Sequence, residues 1–122
     1  STFGGYPLAS VVGTYAIKVL IDEDLARNAQ NKGQRLIKNL EVIKSNYPDK
    51  IKEVRGKGLL TAFEMHDEKH LDGHAVSVGL LQKGVYAKET HHTTVRIAPA
   101  LTISNDQIDL LSESINTVVK GL

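Results

Sequence analysis

Three features of this 122-residue sequence predict an α+β fold, a small mostly antiparallel sheet with helices on one face. The first is the order of hydrophobic periodicities: helix, helix, two strands, helix, two strands, helix. The second is punctuation, with Gly56-Lys57-Gly58, Gly84 and Pro99 each falling where a short apolar run should stop. The third is composition. At 41% hydrophobic and 24% charged the chain has globular proportions, and its length suffices to bury about two-thirds of the unfolded-chain surface in one core. No repeat, low-complexity tract or Pro/Ser linker divides it, so one domain is expected.

The first helix is expected from Pro7, because proline suits a first helical position whose N–H would be unpaired anyway. Leu8, Val11, Val12, Tyr15, Val19 and Leu20 then put an apolar stripe on one side. Asp22, Glu23 and Asp24 fall where a second helix would begin and would complement its N-terminal dipole. Leu25, Ala29, Leu36, Ile37, Leu40 and Ile43 give that helix its inner side, while Arg27, Lys32, Arg35 and Lys38 make an ordinary solvated face. Ile51 and Val54 flank an extended run, Arg55-Gly56-Lys57-Gly58 reads as a turn, and residues 59–65 read as a strand. Residues 74–83 form a short helix closed by Gly84, followed by strands over 85–88 and 95–98, the latter stopped by Pro99. In the last helix Ser104 and Gln107 make a capping box ahead of Ile108, Leu111, Ile115 and Val118.

Composition also narrows function. Fifteen basic against fourteen acidic residues leave +1, too balanced for a nucleic-acid surface, and the absence of Cys removes disulfides, thiolate metal sites and a cysteine nucleophile. The longest uncharged stretch, residues 2–17, is too short and too rich in Gly and polar residues to span a bilayer, so no membrane role is expected. The start at Ser1, without Met and on a Gly-rich segment, reads as a cut in a longer chain.

Several residues invite chemistry. Ser1-Thr2-Phe3-Gly4-Gly5, with a helix start behind it, has the hydroxyls and backbone freedom to hold an anion such as phosphate, or is simply a Gly-rich loop. Gly56-Lys57-Gly58 leads into a strand, whereas a nucleotide loop needs a helix there, so a hairpin turn is the better account. His66, His70 and His74 are spaced by four, but Gly73 and the polar residues around it argue for a loop, and His91 and His92 lie in another, so no metal site is assigned. Arg96 sits between Val95 and Ile97 in an apolar strand. Alternation sends it to the opposite face, where it either reaches solvent or presents its planar fork to a carboxylate.

Taken together, three motifs in register resemble one family. They are Ser-Thr-Phe-Gly-Gly with Pro-Leu-Ala at residues 1–9, Glu-Val-Arg-Gly-Lys-Gly-Leu-Leu at 53–60 and Val-Arg-Ile-Ala-Pro-Ala-Leu at 95–101. They look like the C-terminal part of class III pyridoxal-phosphate aminotransferases. The stretch Val-Tyr-Ala-Lys-Glu-Thr-His at 85–91 ahead of Arg96 most resembles the ornithine aminotransferases within that class.

The resemblance implies the C-terminal small domain of a fold-type I enzyme, with a leading loop and connecting helix over residues 1–20 and a large cofactor domain absent from this chain. It implies pyridoxal 5'-phosphate as cofactor, ornithine and 2-oxoglutarate as substrates, and a homodimer or higher homo-oligomer with the cofactor at the subunit boundary. Thr2, with Ser1 beside it, matches the threonine that reaches the phosphate of the neighbouring subunit's cofactor. Arg96 matches the arginine that faces the substrate carboxylate or pairs with an active-site glutamate.

Acetylornithine and 4-aminobutyrate aminotransferases are rivals within the class, and a free-standing ligand-binding or regulatory module is the rival outside it. No catalytic residue is expected in this chain. The Schiff-base lysine belongs to the absent domain, and none of Lys18, Lys32, Lys57 or Lys88 lies in a motif that would replace it, so the fragment alone should be inactive. The chain departs from the family at Tyr6, where Asn is usual, and at Glu89, His92 and Thr93, where Pro, Gly and an acidic residue are usual. A cytoplasmic location fits the absence of Cys and of any visible targeting segment, and the mitochondrial matrix stays open because the chain reads as lacking its true N-terminus.

Overall fold

Helices and strands follow one another as α1 (Pro7–Asp22), α2 (Leu25–Asn46), β1 (Ile51–Lys57), β2 (Leu60–Met65), α3 (Gly73–Gln82), β3 (Lys88–Thr90), β4 (Thr94–Ile97) and α4 (Asn105–Gly121) in the computed structural model, which describes residues 2–68 and 72–122. The strands pair antiparallel throughout, in the order β1-β2-β4-β3. This is the α+β architecture expected from the sequence.

Alternation assigns the two faces. Thr61, Phe63 and Met65 of β2 are buried together with Val95 and Ile97 of β4, and the register sets Phe63 opposite Val95 and Thr61 opposite Ile97. The one hydroxyl among these five donates to the Ile97 carbonyl at 3.0 Å, which removes the cost of burying it. Leu36, Leu40 and Ile43 of α2, Val76 and Leu80 of α3, and Ile108, Leu111, Ile115 and Val119 of α4 close over this face. Each fully buried side chain of this size contributes about 1.5–3 kcal/mol.

Three elements differ from the sequence expectation. Arg55, Gly56 and Lys57 are strand, paired with Ala62, Thr61 and Leu60, so the turn shrinks to Gly58-Leu59. Gly58 alone supplies the positive φ, +56°, that a two-residue hairpin needs. The third strand begins at Lys88, later than expected, because the Val85 N–H closes α3 on the Leu80 carbonyl at 2.9 Å, with Gly84 at φ +78° before it. Asp24 stands at the start of α2, as expected from the acidic cluster, without a side-chain cap bond. It takes φ +48° at a sharp junction with α1 and pairs with Arg27 at 3.1 Å.

The largest difference is α1, whose expected stripe does not join the core. No residue of the helix is buried, and Val12 and Tyr15 are 59% and 65% exposed. Three helices therefore cover the sheet, while α1 meets the fold at α2. The capping box of α4 forms as expected: Ser104 accepts from the Gln107 N–H at 3.2 Å and the Gln107 side chain accepts from the Ser104 N–H at 2.9 Å. Among the described residues no helix is long and apolar enough to cross a membrane.

Candidate functional site

The sheet face turned away from α2, α3 and α4 carries the charge. Register places Arg55, Ala62, Arg96 and Lys88 in one row across the four strands, and Glu53, Glu64, Thr94 and Thr90 in the next. At the β1–β2 end the charges are matched. Glu64 accepts from Lys52 at 2.7 Å and from Arg55 at 2.9 Å, and Arg55 also reaches Glu53 at 3.1 Å. The bonds from Lys52, then Arg55, hold the Glu64 carboxyl below the usual carboxylate range. At the β4–β3 end they are not matched. Arg96 is exposed, as alternation in β4 requires, and its side chain makes no ion pair or hydrogen bond among the described residues.

Thr2 lies in a separate place, on the loop ahead of α1. A turn closed by the Tyr6 N–H on the Phe3 carbonyl at 3.1 Å, with Gly5 at φ +81°, aims the chain into Pro7 at the helix start. The Thr2 hydroxyl is exposed and has no partner among the described residues, and no acidic side chain occurs before Asp22. Such a donor set suits an anion. Ser1 lies outside the described residues. Tyr6, at the helix N-cap, supplies no side-chain cap.

Of the three histidines spaced by four, the two among the described residues lie apart. His66 follows β2 with its Nε2 3.2 Å from the Pro48 carbonyl, His74 lies on α3 with Nδ1 3.4 Å from Glu89 Oε1, and His70 is outside the described residues. The spacing of four is thus divided between a strand end and a helix. His91 and His92 form the β3–β4 turn, both in the left-handed region at φ +51° and +64°. A cleft of about 390 Å³ lies among Asp72, His74, Glu89, Thr90, His91 and His92. Among the described residues no group of three or more His, Asp or Glu is disposed to hold a metal ion. The Glu89 carboxyl is held low first by its own backbone N–H and then by His74. Gly56-Lys57-Gly58 runs into a strand and offers no phosphate loop.

Sequence reasoning missed Lys88 as a neighbour of Arg96, and Glu64 as the residue that neutralises Lys52 and Arg55. The signal available for both was the face shared under two-residue alternation, usable only once the cross-strand register is known.

The sequence model of the family Aminotransferase class-III matches residues 1–119. Over 122 aligned residues the chain is 39% identical to the mitochondrial ornithine aminotransferase of Arabidopsis thaliana, covering 98% of this chain and 26% of that protein. The crystal structure of acetylornithine aminotransferase from Elizabethkingia anophelis superposes with a TM-score of 0.90 at 34% identity, covering 100% of this chain and 32% of that one. Ornithine aminotransferase from Toxoplasma gondii ME49 gives 0.90 at 34% identity, covering 99% and 28%. With the family model matched over residues 1–119 and the fold in agreement, the chain belongs to the class III aminotransferases. It spans about a quarter of the length of the curated relatives it matches. His92 takes a left-handed φ at the position where the family resemblance expects glycine.

Proposed function

We propose that this chain is the C-terminal small domain of an ornithine-type aminotransferase, residues 1–20 forming the leading loop and connecting helix, with a large cofactor domain supplied by the rest of the polypeptide. The observation that carries the reading is Arg96, an exposed guanidinium with no counter-ion among the described residues, on the open face of the sheet at the position the family gives to carboxylate binding. An unpaired arginine on a strand whose other side chains are buried is suited to an outside anion, and its planar fork binds a carboxylate at two points.

Pyridoxal phosphate, when bound, supplies the electron sink through which an amino group passes between ornithine and 2-oxoglutarate. The residues here bind and orient. Thr2 and Ser1 would hold the phosphate of a neighbouring subunit's cofactor, and the enzyme would then be a homodimer or a larger homo-oligomer. The exposed Thr2 hydroxyl, the left-handed Gly5 and the acid-free segment before Asp22 fit that role. Arg96 holds the substrate carboxylate. The lysine that anchors the cofactor lies upstream, so the isolated chain has no transaminase activity. The match to the Elizabethkingia anophelis structure favours acetylornithine as the second reading of the amino donor. The compartment is the cytoplasm or, as the name of the Arabidopsis thaliana relative states for that protein, the mitochondrion.

The test uses the full-length protein. Thr2→Ala should weaken cofactor retention by about 1–3 kcal/mol, read as the dissociation constant for pyridoxal phosphate, and an unchanged constant rejects the loop assignment. Arg96→Lys should impair turnover of both ornithine and glutamate, and wild-type kinetics with both reject the carboxylate assignment.

A further inference from the structure

Glu89, His92 and Thr93, three of the positions where the chain departs from the family resemblance, all fall on the β3–β4 hairpin. The structure brings all three against one short stretch, the start of α3. The Gly73 N–H donates to the His92 carbonyl at 2.6 Å. A Cβ on Gly73 would lie 2.9 Å from that oxygen, 3.2 Å from the Glu89 Cβ and 3.5 Å from the Thr93 carbonyl carbon, so helix and hairpin meet without room for a side chain. One residue on, His74 sets its Nδ1 3.4 Å from Glu89 Oε1. Asp72 is occupied in capping the helix, accepting from the Ala75 N–H at 2.5 Å. The hairpin has little else to hold it. Among the described residues β3 is a three-residue edge strand paired only with β4, and its turn puts His91 and His92 in the region glycine ordinarily takes. At position 89 the family resemblance expects proline, whose ring would fix the strand backbone and suits an edge. Glutamate fixes nothing by itself. Its side chain lies on the helix side of the sheet, opposite Val95, the neighbour of Arg96.

We propose that His74 and Glu89 are a positioning pair that binds the β3–β4 hairpin to α3 and so sets where β4 presents Arg96. The pair takes over in this chain what a rigid proline would do at position 89. The proposal rests on the reading of Arg96 as a carboxylate-binding residue, and neither member of the pair touches substrate. His74 is 72% exposed, so the contact has the strength of a surface pair, a few-fold in an equilibrium constant. That is enough to govern a short edge strand, whose opening is local and needs no unfolding of the core. The Gly73–His92 bond lies beside the pair and fixes the turn, while the pair fixes the strand leading into it.

The experiment compares the full-length holoenzyme with its Glu89→Ala, His74→Ala and doubly substituted variants. Hydrogen exchange is followed in peptides covering the hairpin, and KM and kcat are measured with 2-oxoglutarate. Each single substitution should speed hairpin exchange and raise KM about threefold, with kcat changed by less than about twofold. The double variant should be no worse than either single, because the two side chains act as a unit. Glu89→Pro should keep wild-type exchange and KM, and adding His74→Ala to it should alter neither. Effects that multiply in the double variant, unchanged exchange in both singles, or faster exchange with KM unmoved overturn the positioning pair. The reading of Arg96 itself fails by a different result, wild-type kinetics in Arg96→Lys.

Discussion

α1 and α4 are nearly equal in length, 16 and 17 residues, and stand in opposite relations to the fold. α4 buries Ile108, Leu111, Ile115 and Val119 along one face and turns Asp106, Glu113 and Lys120 outward. α1 carries an apolar stripe of Leu8, Val11, Tyr15 and Val19, with Ile17 and Ile21 on another side, and it buries none. An apolar stripe left uncovered is one adapted to packing against a further surface. The contrast separates two kinds of sequence within one chain. α4 is matched to the core this chain makes for itself, whereas α1 is matched to surroundings that these residues do not supply.

Substitutions test that separation directly. Ile115→Ala in α4 should cost about 2–5 kcal/mol in urea unfolding, the combined loss of burial and packing, and a cost below about 1 kcal/mol would mean that α4 does not anchor the core. Ser104→Ala should cost about 1 kcal/mol by removing the side-chain acceptor of the capping box, measured in the same way. Restoring hydrogen bonding with Ser104→Asp should recover most of it. Val12→Ala in α1 should stay within about 0.5 kcal/mol, because an exposed site has no packing to lose. If Val12→Ala instead matched Ile115→Ala, α1 would be part of this core and the contrast would fail.

What could be read in the sequence follows from how local its cause is. The Ser104–Gln107 box and the placement of Arg96 opposite Val95 and Ile97 depend on neighbours within three residues, and both are found as expected. The start of β3 was misplaced because the Val85 N–H is taken by the Leu80 carbonyl, a helix-end bond that competes with strand pairing and leaves no mark on hydrophobicity. Periodicity in α1 is genuine but does not state where the partner surface is. Lys88 and Glu64 depend on which residue opposes which across strands, a fact set by the hairpin at Gly58 and the packing of β2 on β4. The left-handed His91 and His92 are likewise invisible in sequence, because that conformation is ordinarily signalled by glycine.

One close contact reaches further than its size. A Cβ on Gly33 would come within 1.9 Å of the Gly58 carbonyl oxygen, so α2 lies directly against the β1–β2 turn with no room for a side chain between them. Any side chain there pushes the hairpin outward, and with it β2, whose register holds Ala62 against Arg96. Gly33 and the turn at Gly58 therefore behave as a single unit of inheritance. A chimera that imported α2 from a relative bearing a larger residue at this position would need that relative's hairpin too, or it would misplace an arginine on the far side of the sheet.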